Sequence, residues 1–358
     1  MKRLWQRLLS LCNKLLCLCN KMATEEYDYI SFCFLTETEE GHGEDAPPLL
    51  ITKGNSCAVG VFDGMGGAGA RICETSSVGE GHTQAYVSSR IVCSSVDTFL
   101  QEHLPIGKVS VVDMKEIIKR RLHEEKEAFS PKVTSSLRSK LVREYPTTMA
   151  VLSLQEDDKS YRVDSYWAGD SHCYLWTKDG FFQISRDDLE NNSDPMENLN
   201  NDSPISNCIC ADRDFMIHHK TTELKKEPVV IFCASDGCFG YYQTPMHFEF
   251  ILKSSLQTAK NEQEWELLIR NEVLKVTGDD CSLSLVAKGF SSFEEMKRTI
   301  GLTSEEIKEV IARERDVLVA EQILADAKKE YKQKIISNWS SYKKNYMKYI
   351  NQEDDGNA

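Results

Sequence analysis

Four aspartates in this chain stand at the ends of short apolar runs, and that recurrence limits the fold more than any other feature of the sequence. Asp63 follows Ala58-Val59-Gly60-Val61-Phe62, and Asp170 follows Tyr166-Trp167-Ala168-Gly169. Asp236 follows Ile231-Phe232-Cys233-Ala234-Ser235, and Asp279 precedes Leu283-Ser284-Leu285-Val286. Such runs, short and bounded by turn residues, read as buried strands. A sheet can bring the ends of buried strands together, and carboxylates brought together raise one another's pKa. A cluster of four is costly unless a cation neutralises it. Hard ions such as Mg²⁺ or Mn²⁺ take oxygen ligands and suit this set, whereas zinc asks for His or Cys. One Asp-Gly alone is more often an ordinary turn. The glycines from Gly64 to Gly69 add a turn in which backbone carbonyls can approach an ion, without the Lys-Ser/Thr ending of a P-loop.

Strands are expected at Tyr29 to Leu35, Cys57 to Phe62, Thr148 to Leu154, Tyr161 to Ala168, His172 to Trp176, Val229 to Ala234 and Ser282 to Ala287. Helical spacing falls at Glu74 to Leu100, Met114 to Ala128, Ser135 to Glu144, His247 to Gln257 and Glu262 to Lys275. The strands cluster without a helix between each pair, so a two-sheet core with helices outside is favoured over a doubly wound parallel sheet. With 358 residues and 41% hydrophobic content, one large core of about 250 residues plus appendages is expected. The net charge of −13 argues against a nucleic-acid partner, because such surfaces need excess Lys and Arg to displace counterions. Thirteen scattered cysteines, many in apolar runs, read as reduced thiols of a cytoplasmic protein, with no convincing zinc spacing.

Three segments lie outside this pattern. Residues 1–22 hold five basic and no acidic residues, with leucines repeating through Leu8-Leu9-Ser10-Leu11 and Leu15-Leu16-Cys17-Leu18. Two readings fit: a basic amphipathic helix on an anionic membrane, giving peripheral membrane association, or a helix docked on the protein's own body. Between Asp187 and Asp212 a stretch rich in Asn, Asp, Ser and Pro reads as a long loop, either a substrate-binding element or a disordered insertion. Beyond Phe290, residues 291–358 carry mixed charge and an apolar stripe through Leu324, Tyr331, Ile335, Trp339, Tyr342 and Tyr346. That is an amphipathic helical appendage, packed on the core or binding a protein partner through its aromatic end.

Six short motifs then occur in order: Gly43-Glu44-Asp45, Val61-Phe62-Asp63-Gly64-Met65-Gly66-Gly67, Thr147-Thr148-Met149-Ala150, Ala168-Gly169-Asp170-Ser171, Ala234-Ser235-Asp236-Gly237 and Asp279-Asp280-Cys281-Ser282. In this order they resemble the PPM, or type 2C, family of metal-dependent protein serine/threonine phosphatases over residues 27–290. The resemblance implies an α+β fold, two antiparallel sheets packed as a sandwich with helices on both outer faces. It also implies a phosphorylated protein substrate and two Mn²⁺ or Mg²⁺ ions, with a looser third. Carried over by position, Asp63 bridges the two ions. Asp236 and Asp279 hold one, and Glu44 and the carbonyl of Gly64 hold the other. Asp45 orients water, and Asp170 serves the third ion. The chemistry implied is hydrolysis by metal-activated water without a covalent intermediate.

The chain departs from the family pattern at four places. Glu40 stands where an Arg often grips the substrate phosphate, and Met65 where a His often donates a proton. Gly240 replaces a carboxylate for the third ion, and Asp280 replaces an Asn. A basic residue of the segment between Leu104 and Tyr145, from Lys119, Arg120, Arg121, Arg138, Lys140 and Arg143, is the candidate replacement for the missing Arg. The same departures motivate the alternative of a weak or inactive pseudophosphatase acting as an interaction module.

Overall fold

The computed structural model describes residues 29–107, 109–129, 142–191, 194–201 and 203–350. Two compact units follow one another, the first ending at Leu302 and the second beginning at Thr303. The segment 1–22 and most of the helix expected at Ser135 to Glu144 lie outside the described residues.

The first unit is built on two five-stranded sheets, antiparallel throughout. One has the order β1-β12-β11-β8-β9, with β1 at Tyr29–Thr36, β8 at His172–Thr177, β9 at Gly180–Gln183, β11 at Val229–Ala234 and β12 at Cys281–Lys288. The other has the order β10-β7-β6-β3-β2, with β2 at Leu49–Lys53, β3 at Ser56–Val61, β6 at Met149–Glu156, β7 at Ser160–Ala168 and β10 at His218–Lys225. A small pair, β4 (Ile72–Cys73) and β5 (His82–Thr83), stands apart.

Alternation along the strands creates the layers, because successive side chains of a strand point to opposite faces. In β11, Val229, Ile231 and Cys233 join Val59, Val61, Leu152, Leu154 and Leu175 in a cluster drawn from both sheets. Val230, Phe232 and Ala234 point the other way, against α6 (Pro245–Thr258) and α7 (Glu262–Val273). Here Trp265 meets Phe32 edge-on with ring centroids 5.1 Å apart and donates its indole N–H to the carbonyl of Leu252 at 3.2 Å. After the one-turn helix α1 (Gly66–Gly69), the far face of the other sheet is covered: Val87, Ile91 and Val96 of α2 (Gln84–His103) and Met114, Ile118 and Leu122 of α3 (Val111–Phe129) pack on Ala58 and Val151. Each large apolar side chain buried in these layers contributes about 1.5–3 kcal/mol. The outcome is the expected α-β-β-α sandwich.

Several boundaries differ from the sequence reading. The helix expected from Glu74 begins at Gln84, because Gly79 and Gly81 adopt positive φ and Thr83 caps the helix by accepting from the Tyr86 N–H. Strands β2, β9 and β10 were not expected. In β10 every side chain but Leu224 is polar and all are half-exposed or exposed, as suits an edge strand with little apolar alternation. The compact unit also continues past Phe290, since Met296 and Ile300 of α8 (Phe293–Ile300) enter the core with Trp265. The appendage therefore starts later than residue 291. The second unit is dominated by α9 (Glu305–Tyr346), whose N-cap Ser304 accepts from the Ile307 N–H. Among the described residues no helix is long and apolar enough to cross a membrane, and the described cysteines are free thiols.

Candidate metal centre

Antiparallel pairing sends the acidic residues to one end of the sandwich. The end of β3 pairs with the start of β6 (Val61 with Ala150), and the end of β7 with that same start (Ala168 with Met149). The end of β11 pairs with the start of β12 (Ala234 with Leu283), and the end of β1 with that start (Thr36 with Cys281). Asp63, Asp170, Asp236 and Asp279 stand just outside those strand ends, and the segment after β1 brings in Glu44 and Asp45.

Each is held by local contacts. Asp45, which is buried, accepts from the Ser235 hydroxyl through Oδ2 at 2.8 Å. Glu44 accepts from the Thr83 hydroxyl at 2.5 Å through Oε1. The main chain of Asp63 is fixed through its carbonyl, which accepts from the Thr147 hydroxyl and the Thr148 N–H at 2.5 and 2.8 Å. Asp236 opens the short helix α5 (Asp236–Phe239). Asp170 follows Gly169 at φ 99°, a turn held by the Asp188 carboxylate on the Gly169 N–H at 3.0 Å. Asp188 in turn accepts from Asn207 at 2.6 Å and His218 at 2.8 Å, so the base of the Asp187–Asp212 loop is anchored beside the site. That loop contains the short helix α4 (Pro195–Asn200).

The electrostatics follow from crowding like charges in a poorly solvated place. Burial raises Asp63 well above the usual carboxylate range, and the neighbouring Asp45, Asp236 and Asp170 raise it further. Burial likewise raises Asp45 to about 7. Asp170 is pushed well up by burial and then by Asp236 and Asp187. Glu44 and Asp279 are raised too, first by burial, with Asp280 and Asp236 respectively among the charges adding to it. Asp63 keeps one face open to solvent, but dense protein around its carboxyl strips away most of the water. Asp45 and Asp236 are the neighbouring charges that add most to the rise at Asp63. Among the described residues no Lys or Arg pairs with any of these six side chains. Equally, among the described residues no three acidic, His or Cys side chains are already arranged around one metal position. The donor chemistry nevertheless fits a hard divalent cation: carboxylates and a carbonyl that repel one another, offset only by the attraction of Arg90 for Glu44 and Asp45.

A sequence model of the protein phosphatase 2C family matches residues 38–275. The chain belongs to the protein phosphatase 2C family. Its assignment as a protein serine/threonine phosphatase follows from that membership. Similar solved structures include the Mycobacterium tuberculosis serine/threonine phosphatase PstP/Ppp, at 14% identity, covering 73% of this chain and 98% of that one, with a TM-score of 0.49. Another is Stp1 from Staphylococcus aureus, at 15% identity over 74% of this chain and 96% of that one, with a TM-score of 0.48. A third is the PstP catalytic domain in complex with two manganese ions, at 13% identity, 73% and 97% coverage and a TM-score of 0.46. No curated protein sequence matches the chain.

In this protein phosphatase 2C chain the unusual Asp280 turns inward. It is buried and accepts from the Thr38 N–H at 2.7 Å and the Glu44 N–H at 2.6 Å, tying the segment after β1 to β12. Arg90, which the sequence reading did not single out, is the guanidinium nearest this segment. It donates to the carbonyls of Gly43 at 3.1 Å and Glu44 at 3.3 Å and lies over the Tyr86 ring at 3.3 Å. His82 stacks on Tyr86, with ring centroids 3.8 Å apart. The candidate basic residues of the later segment are placed differently. Lys119 pairs with Asp214 and Arg120 with Glu124, while Arg138 and Lys140 lie outside the described residues.

Two glycines separate binding from folding. A Cβ on Gly66 would run into the carboxyl of Glu44, whereas one on Gly237 would run into the backbone carbonyl of Asp280. Gly66→Ala is therefore expected to fold and to lose about 10–100-fold in Mn²⁺ affinity, measured by calorimetric titration. Gly237→Ala meets immovable backbone and is expected to lose at least about 1–3 kcal/mol of stability, measured by the denaturant midpoint.

Proposed function

We propose that the chain hydrolyses phosphoserine and phosphothreonine in protein substrates by direct attack of water, without a covalent enzyme intermediate. The observation that carries this reading is the convergence of six acidic side chains, from five separate segments, at one end of the sandwich with no ion-paired Lys or Arg among the described residues. Asp63, with Asp45, Asp236 and Asp170 as neighbours, would bridge two Mn²⁺ or Mg²⁺ ions. Asp236 and Asp279 would complete one site, and Glu44 with the Gly64 carbonyl the other; Asp170 would serve a looser third ion. When bound, such ions acidify a shared water and stabilise the oxygens of an in-line displacement at phosphorus.

The chain's own groups do the rest. Asp45, fixed by Ser235, orients the attacking water. Ser89 and Arg90, both donating to the Glu44 carbonyl, hold the Glu44 turn in place. Met65 carries no proton to give, so the leaving alkoxide draws its proton from solvent. A steep dependence on leaving group follows: an aryl phosphate is expected to turn over at least about tenfold faster than a phosphothreonine peptide, a ratio read directly from initial rates. Release of phosphate from that peptide, dependent on added Mn²⁺, tests the proposal. Its absence from a folded sample at any Mn²⁺ or Mg²⁺ concentration would refute it.

A second reading, a family member that captures partners and turns over weakly, is favoured by Glu40 and Met65. It predicts phosphopeptide binding with slow or no phosphate release.

A further inference from the structure

The C-terminal part of α9 and the few residues after it are basic, as residues 1–22 are, in an otherwise acidic chain. Residues 331–350 hold Lys332, Lys334, Lys343, Lys344 and Lys348 and no acidic residue, in a chain of net charge −13. Acidic residues return only at Glu353, Asp354 and Asp355. Within the helix, Ile335, Trp339, Tyr342 and Tyr346 recur at spacings of four, three and four, which puts them on one face. All four are exposed, Trp339 at 43% and Tyr346 at 61%. The three rings form a continuous surface, with centroids 5.6 Å apart for Trp339 and Tyr346 and 5.8 Å for Tyr342 and Tyr346.

We propose that this end of α9, from Ile335 to Tyr346, lies on an anionic lipid surface. Its aromatic face sits at headgroup depth and its lysines contact lipid phosphates and carboxylates. Trp and Tyr favour that depth because their rings are apolar with one polar edge. By helical spacing Lys332 and Lys343 border this face on one side and Lys334 on the other, so their methylene stems can lie along apolar surface while the ammonium groups reach the headgroups. Charge complementarity selects the partner. A second copy of the helix packed in parallel would bring like charges together, whereas an anionic bilayer attracts each lysine and supplies an apolar layer for the rings. The helix lies on the surface and does not span it, since no described helix is apolar enough to cross. The inference is independent of the phosphatase chemistry.

The test uses the full chain, sedimented with vesicles of phosphatidylcholine alone or with about one-third phosphatidylserine. Retention on the anionic vesicles is expected to exceed that on neutral ones at least about tenfold, and to fall in about 1 M salt, where charges are screened within about 3 Å. W339S/Y342S/Y346S and K332E/K343E are each expected to lose at least about tenfold in retention, with helical circular dichroism and peptide turnover unchanged. Absence of retention on anionic vesicles overturns the proposal. So does retention that both variants keep, which would assign binding to another basic segment such as residues 1–22. Preferential capture by poly-glutamate or RNA instead of vesicles also overturns it.

Discussion

Asp63→Asn is expected to lower phosphothreonine-peptide turnover by at least about 10³-fold, the scale on which losing one preorganised electrostatic element slows an enzyme. The same change is expected to raise, not lower, the melting temperature of the metal-free protein. Both effects have one cause. Asp63 is repelled by Asp45, Asp236 and Asp170 in a poorly solvated place, so its charge is unfavourable until a cation neutralises it. The amide keeps the shape and removes the charge. A variant that loses both stability and activity would instead point to a structural role for the carboxyl.

The second large effect is an inverted dependence of stability on pH. In the metal-free protein Asp45 is raised to about 7, and Asp63, Asp170, Asp279 and Glu44 are raised as well. Between the unfolded carboxylate range and these higher values, the folded chain binds more protons than the unfolded chain, so stability falls as pH rises. Glu156 and Asp187 behave oppositely. Despite burial, Lys226 and Lys288 hold Glu156 low, and His172 holds Asp187 low. Their contribution is lost only at acid pH, below the window that matters. From pH 5.5 to 8 the metal-free melting temperature is therefore expected to drop by on the order of 5–10 °C. Saturating Mn²⁺ is expected to stabilise the protein more at pH 8 than at pH 5.5, because binding to the folded state competes with those protons. Scanning calorimetry with and without the ion measures this; a metal-free curve that rises over the window would contradict it.

The strands that carry the site could be read in the sequence because they are buried on both faces. Val229–Ala234 is apolar at every position, and such a run admits few other environments. Edge strand β10 was hidden because its alternation is between polar residues, and β2 because only Leu49 and Ile51 of it are buried. The acidic cluster was legible as a recurrence, since each carboxylate follows or precedes a strand. The residues that support it were not. Arg90 lies 46 residues beyond Glu44 along the chain and reads locally as one more polar position on a helix. Asp280 accepts an N–H from 236 residues away. Nothing in local spacing distinguishes a carboxylate that clamps a distant backbone from one that is solvated, because the partner is chosen by topology.

The organisation also bears on the two unusual positions. Glu40 lies in a turn beside the acidic site, while the nearest guanidinium, Arg90, is already committed to the Gly43 and Glu44 carbonyls and to the Tyr86 ring. A positioning role for Arg90 follows. Arg90→Met would loosen the Glu44 turn and weaken Mn²⁺ binding, an effect that Arg90→Lys should only partly repair, since one ammonium cannot reproduce the planar fork.

The most direct measurement is a calorimetric Mn²⁺ titration of the full chain and of Asp63→Asn, with phosphothreonine-peptide turnover followed over the same concentrations. The account predicts saturable uptake by the natural chain, turnover rising along the same curve, and loss of both in Asp63→Asn. Turnover that persists in Asp63→Asn, or a folded natural chain that takes up no divalent cation, would contradict it.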